Sequence, residues 1–102
     1  RTSHTGIDIG APHGASVRAA MEGRVSTTGY NAVSGNYVIV SHHSGYASMY
    51  AHLDSIAVRK GQAVSIGTRI GVVGNTAYST GSHLHFTVLK NGRTVNPMLL
   101  LN

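Results

Sequence analysis

The chain has no cysteine, only three acidic residues and only two prolines. Without a thiol, disulfides, cysteine nucleophiles, cysteine-held zinc and iron–sulfur clusters are all excluded. Any metal must then be held by histidine and carboxylate. The lack of cysteine also fits a bacterial protein that works outside the cytoplasm. Charged residues are scarce as well, at 11% of the sequence, against roughly 25% in an average soluble domain. No apolar run approaches the ~18 residues of a membrane span; Met98-Leu99-Leu100-Leu101 is as far as one goes. A secretory leader is not recognisable, because the chain opens on the polar Arg1-Thr2-Ser3-His4.

What the sequence does have is histidine and glycine: seven of the first and 13 of the second, in 102 residues. That length makes one domain, spanning 1–102. With a candidate ligand as early as His4, it is expected to be a piece excised from a longer protein. Eight basic residues give a formal net charge of +5, but they are scattered from Arg1 to Arg93. Nucleic-acid binding calls for a basic stripe with interleaved aromatics, so no nucleic acid is expected as partner. A diffuse positive charge suits a general attraction to an anionic surface such as a cell-wall polymer.

The periodicity is that of strands. Tyr37-Val38-Ile39-Val40-Ser41 is β-branched, and Ala47 to Leu53 follows after the turn Ser44-Gly45. Arg69 to Gly74 and Leu84 to Leu89 read the same way, and Lys90-Asn91-Gly92-Arg93 is a hairpin turn leading to Thr94-Val95. Breaks are expected at Gly23, Gly29, Gly61 and Gly67. Ala19-Ala20-Met21-Glu22 could form one helical turn, and Asn96 to Leu100 another. Many short strands with glycine-rich turns predict an all-β fold, a compact antiparallel sandwich or barrel-like sheet.

Three segments can carry chemistry. In His83-Leu84-His85-Phe86 the two imidazoles share one face, ~6.5 Å apart, while Leu84 and Phe86 face the core. Taken alone, such a pair usually decorates a surface strand. In His4-Thr5-Gly6-Ile7-Asp8 the carboxylate lies opposite Ile7 and Ile9. A straight strand would hold His4 and Asp8 ~13 Å apart, whereas donors on one zinc are about 3–4 Å apart. The chain must therefore turn near Thr5-Gly6 for both to reach one ion. Asp8 could equally cap a local turn, Asp54 reads as a turn residue just past a strand end, and Glu22 reads as a turn or surface charge. In Tyr50-Ala51-His52-Leu53, alternation puts Tyr50 and His52 on one face and Ala51 and Leu53 on the other. His13, His42 and His43 sit at turns and read as surface residues.

Combined, the segments supply a set. Two histidines and an aspartate on zinc leave one tetrahedral position for water, whose pKa the metal lowers to near 7. Two further histidines could take the proton and stabilise an oxyanion. Composition does not say which histidine does which job.

Taken in order, these motifs resemble the catalytic domain of the lysostaphin-type (LytM-like) zinc metallopeptidases, which cut bacterial peptidoglycan. His4-Thr5-Gly6-Ile7-Asp8 matches the family's H-x-G-[IV]-D start. Gly35-Asn36-Tyr37-Val38-Ile39-Val40 and Tyr50-Ala51-His52-Leu53 follow. Val58 to Gly71 keeps the pattern V-x-x-G-Q-x-V-x-x-G-x-x-I-G. Ser79 to Phe86 matches S-T-G-P-H-L-H-F with Ser82 in place of proline, and Val95-Asn96-Pro97 matches the V-N-P close. Thr87 stands where glutamate commonly follows. The resemblance implies a groove over the metal, one zinc ion held by His4, Asp8 and His85, and His52 and His83 as general base and transition-state stabiliser. It further implies a peptidoglycan cross-link peptide as substrate, an extracytoplasmic location and action as a monomer. The YAHL and HLHF style favours D,D-endopeptidase action over glycyl-glycine specificity.

Two other classes compete. A degenerate LytM-like domain would serve as a binding or regulatory module, but such relatives usually lack a ligand and here every position is filled. A biotinyl- or lipoyl-carrier domain would explain the V-x-x-G rhythm from Val58 to Gly74. It needs a lysine in a Met-flanked hairpin, and neither Lys60 nor Lys90 has one.

Overall fold

The β-branched runs become the long central strands. In Tyr37-Val38-Ile39-Val40, Val38 and Val40 are fully buried while Tyr37 and Ile39 keep partial exposure, the alternation of a strand with one face on a core. The computed structural model describes residues 6–74 and 83–96. Within them run the strands β1 (Ile7–Gly10), β2 (Ser16–Arg18), β3 (Gly23–Asn31), β4 (Gly35–Ser41) and β5 (Tyr46–Ile56), then β6 (Ala63–Val64), β7 (Arg69–Val73), β8 (His83–Lys90) and β9 (Arg93–Val95). A single 3-10 turn, His43–Gly45, joins β4 to β5 among the described residues. The all-β expectation holds.

Every pairing is antiparallel, and the main path runs β1-β8-β5-β4-β3-β6. Off that path, β7 bridges β2 to β5 and β9 extends β8. Strand β5 organises the rest. Along one edge it pairs with β4; along the other it pairs first with β8, ending at Ala51↔His85, and then with β7, starting at Leu53↔Val73. The change of partner falls on His52. Beneath lies a core built on Val25, Val38, Val40, Tyr50, Leu53 and Ile70. Each aliphatic side chain buried there contributes about 1.5–3 kcal/mol.

The expected hairpin forms: Lys90 pairs with Arg93, and Asn91 and Gly92 both take positive φ (52° and 83°), as a primed two-residue turn requires. Three local expectations are corrected. Ala19 to Glu22 is a bend and not a helical turn, because Ala19 spends its N–H on Thr68 and its carbonyl on Gly67. Gly23 and Gly29 lie inside β3, where they admit the Ser41 carbonyl and the Tyr37 ring at close range. Asp54 lies within β5, exposed, and not in a turn. The reading of Asn96 to Leu100 as a turn falls on residues outside those described, Asn96 excepted.

Candidate active site

Antiparallel pairing of β1 with β8 sets Asp8 opposite His85 and Gly10 opposite His83. Leu84 and Phe86 pack against the core, so the alternation turns His83 and His85 to the other face, as the sequence predicts. There the Nδ1–H of His85 donates to Oδ1 of Asp8 over 2.8 Å. The Nε2 of His83 stands 3.7 Å from the same oxygen, too far for a hydrogen bond but close enough to stabilise its charge. The hydrogen bond from His85 holds the Asp8 carboxyl below the ordinary carboxylate range; partial burial opposes this, and the charges of His85, His83 and His52 add to it. Asp8 thus caps no turn. The apolar face opposite it is only half covered, since Ile9 remains 41% exposed.

Gly6 sets the approach to β1. Its φ is +120°, and a Cβ on it would collide with the Phe86 carbonyl and the Thr87 hydroxyl. The turn expected near Thr5-Gly6 falls on residues outside those described, Gly6 excepted, and the positive φ of Gly6 is one that glycine adopts readily. His4, the remaining candidate ligand, lies outside the described residues.

His52 comes from β5. Its ring centroid is 5.4 Å from that of His83 and 5.7 Å from that of His85. The pattern-based reading put Tyr50 and His52 on one face, and this is corrected. Tyr50 is in the core together with Leu53, three residues on, where strict alternation would have separated them. The cause is a positive φ of 63° at His52, which resets the alternation as β5 changes partner. Its N–H donates to the Ser34 carbonyl at 2.8 Å, and its own carbonyl accepts from the Gly74 N–H at 3.3 Å. The reset frees Tyr50 for the core and delivers the imidazole to the other histidines.

Four of the five candidate residues therefore meet: Asp8, His52, His83 and His85. Their donors suit zinc, since a carboxylate oxygen and an imidazole nitrogen already converge from facing strands at close to the separation of two ligands on one ion. Among the described residues no third donor completes that pair. Of the remaining histidines, His13 and His43 keep their surface reading, whereas His42 is corrected to a half-buried residue bonded through both ring nitrogens. His42 donates from Nδ1 to the Glu22 carbonyl (2.7 Å) and meets Ser48 Oγ (2.8 Å) through Nε2. His43 contacts the hydroxyl of Ser44, and His13 lies 3.5 Å from Asp54, both histidines exposed.

Sequence reading expected a groove at the site but missed the residues that line it. The groove measures about 460 Å³ and, beyond His52 and His85, is lined by Val33, Ser34, Met49, Thr87, Leu89 and Thr94. Thr87 and Leu89 could have been found by counting in twos from His85. Met49 needed the β5–β8 register, in which it faces Thr87. Val33 and Ser34 arrive from another hairpin and left no signal.

Known proteins match this chain over nearly its whole length. Peptidase family M23 matches residues 2–97. The peptidoglycan DD-endopeptidase ShyA of Vibrio cholerae is 44% identical over 95 residues, 93% of this chain, which spans only 22% of that protein. Among solved structures, the catalytic domain of the antimicrobial peptidase lysostaphin from Staphylococcus simulans superposes with a TM-score of 0.88 at 32% identity, covering 96% of this chain and 78% of that one. A zinc-containing peptidase from Vibrio cholerae gives a TM-score of 0.86 at 42% identity, covering 90% of this chain and 28% of the other.

Proposed function

The chain belongs to peptidase family M23, and on that premise we propose that it is a zinc-dependent endopeptidase hydrolysing the peptide cross-links of bacterial peptidoglycan. The observation that carries this is the contact between Asp8 and His85 with the rings of His83 and His52 gathered around it. In this reading His4, Asp8 and His85 hold one zinc ion. When bound, zinc supplies Lewis-acid polarisation of the scissile carbonyl and lowers the pKa of water.

The protein's own groups do the rest. One of His52 and His83 accepts the proton of the attacking water and passes it to the leaving amine. The other donates a hydrogen bond to the oxygen on which charge develops. Each such role is typically worth about 10²–10⁴-fold in rate. Among the described residues, the lining of the groove that starts at His52 and His85 has no carboxylate or ammonium, which suits a peptide backbone with small, uncharged side chains. It leaves the scissile bond to be aligned by shape and by the hydroxyls of Ser34, Thr87 and Thr94.

D,D-endopeptidase specificity is favoured over glycyl-glycine specificity, a choice supported by the 44% identity to a DD-endopeptidase. Such a substrate implies an extracytoplasmic site of action, and the chain is proposed to act as a monomer. Digestion of purified walls by the zinc-loaded protein, with mass spectrometry of the released muropeptides, tests the proposal. Walls with direct stem-peptide cross-links should yield separated stem peptides, and walls with glycine bridges should yield far less. Cleavage within glycine bridges alone would overturn the specificity, and no cleavage of either wall would overturn the activity.

A further inference from the structure

His52 holds a backbone conformation that L-residues adopt at a cost, with φ at 63°. Such a conformation persists only where its surroundings fix it. Besides the Gly74 N–H on its carbonyl, those surroundings include one hairpin, β3–β4. Its tip is shaped by Asn31, whose Oδ1 accepts from the N–H of Val33 at 2.9 Å and of Ser34 at 2.6 Å. That turn aims the Ser34 carbonyl at β5, where it accepts the His52 N–H at 2.8 Å. On the other side of the turn, the side-chain amide of Asn36 donates to the carbonyls of Leu53 (3.0 Å) and Asp54 (3.2 Å), the two residues directly after His52. The kink in β5 is thus held at the histidine by the Ser34 carbonyl and just after it by the Asn36 side chain, both from one hairpin. None of these bonds involves β1 or β8, which carry Asp8, His83 and His85.

We infer that Asn31 and Asn36 are positioning residues for His52: through the β3–β4 hairpin they fix the backbone that holds its imidazole beside His83 and His85. Asn31 acts through the Ser34 carbonyl; Asn36 acts on the two carbonyls that follow. The inference rests on His52 being catalytic, as proposed above. Residues in this role govern turnover and not metal affinity, because the imidazole they orient lies outside the proposed ligand set.

The test compares zinc-loaded wild type, Asn31→Ala, Asn31→Asp, Asn36→Asp and His52→Ala. The measurements are zinc affinity, kcat and KM on a defined cross-linked muropeptide, and the ring carbon–proton resonance of His52 by NMR. Asn31→Ala removes the acceptor at the hairpin tip. Asn36→Asp is nearly isosteric and removes both donors, so the inference does not hang on one variant folding. Each should lower kcat, by up to about 10²-fold for an ångström-scale displacement, with KM and zinc affinity little changed and the His52 resonance shifted. Asn31→Asp keeps an acceptor oxygen and should restore both kcat and the resonance. Unchanged kcat and resonance in both Asn31→Ala and Asn36→Asp would overturn the inference, as would a failure of Asn31→Asp to rescue. If His52→Ala itself retains full kcat, the catalytic reading of His52 fails instead. A resonance shift in the asparagine variants would then still establish the bracing.

Discussion

Asp8 and His85 face each other across the β1–β8 pair with Oδ1 and Nδ1 2.8 Å apart. Strand pairing alone thus brings together two groups 77 positions apart in the chain. If both hold zinc, removing either leaves too few donors. Asp8→Ala is expected to weaken zinc binding by more than the roughly 10–100-fold that loss of a mere supporting contact costs. Metal content after dialysis against a chelator checks this. Full digestion of cell walls by chelator-treated Asp8→Ala would contradict the ligand assignment.

The same contact gives the metal-free protein a pH dependence of known sign. The Asp8 carboxyl is held below its ordinary range chiefly by the hydrogen bond from His85. A carboxyl with a depressed folded-state pKa binds its proton more readily in the unfolded chain. Its contribution is therefore complete above the unfolded value of about 3.9 and is lost as pH falls through the lower folded value. Asp8 is 63% exposed, so solvent screening keeps the effect small. In thermal melts of chelated protein, the difference between wild type and Asp8→Asn should shrink as pH falls below about 4.

His83 and His52 should behave differently from Asp8. Their rings lie against the site, 5.4 Å apart by centroid, but neither belongs to the proposed ligand set. His83→Ala and His52→Ala are expected to keep stoichiometric zinc and lose about 10²–10⁴-fold in kcat, the usual worth of a positioned acid or base. Loss of zinc on His83→Ala, with Asp8→Ala retaining it, would reverse the two assignments.

How far the sequence could carry these expectations depended on which interactions set each residue's orientation. His83, Leu84, His85 and Phe86 were legible because an unbroken strand has a period of two, and the core claims Leu84 and Phe86. The Asn91-Gly92 hairpin was legible because so few residue pairs accept two consecutive positive φ values. His52 was misplaced relative to Tyr50 because its conformation is decided by strands distant in sequence, at the point where β5 passes from β8 to β7. Gly29 was read as a break because sequence cannot show that the Tyr37 ring lies over it. The gathering of Asp8 with three histidines followed from the family resemblance; the groove wall at Val33 and Ser34 came only from the structure.

A last prediction separates the placement of β1 from its stability. Gly6 and Gly61 both have positive φ, +120° and +92°, so alanine is conformationally costly at each, by about 1–3 kcal/mol. Their surroundings differ. Around Gly61 nothing lies within 4 Å of an added Cβ, and relaxation there disturbs no functional group. At Gly6 the Cβ would strike the Phe86 carbonyl and the Thr87 hydroxyl, next to His85 on the strand that aligns Asp8. Relief requires β1 to move away from β8, which separates the two donors. Gly61→Ala should therefore lower the melting temperature while leaving zinc affinity within about twofold, because only backbone conformation is taxed. Gly6→Ala should lower both, its zinc affinity falling in step with loss of the Asp8–His85 contact. Zinc titrations of the two variants, at a temperature where both remain folded, decide the matter: equal affinities would mean that Gly6 serves stability alone.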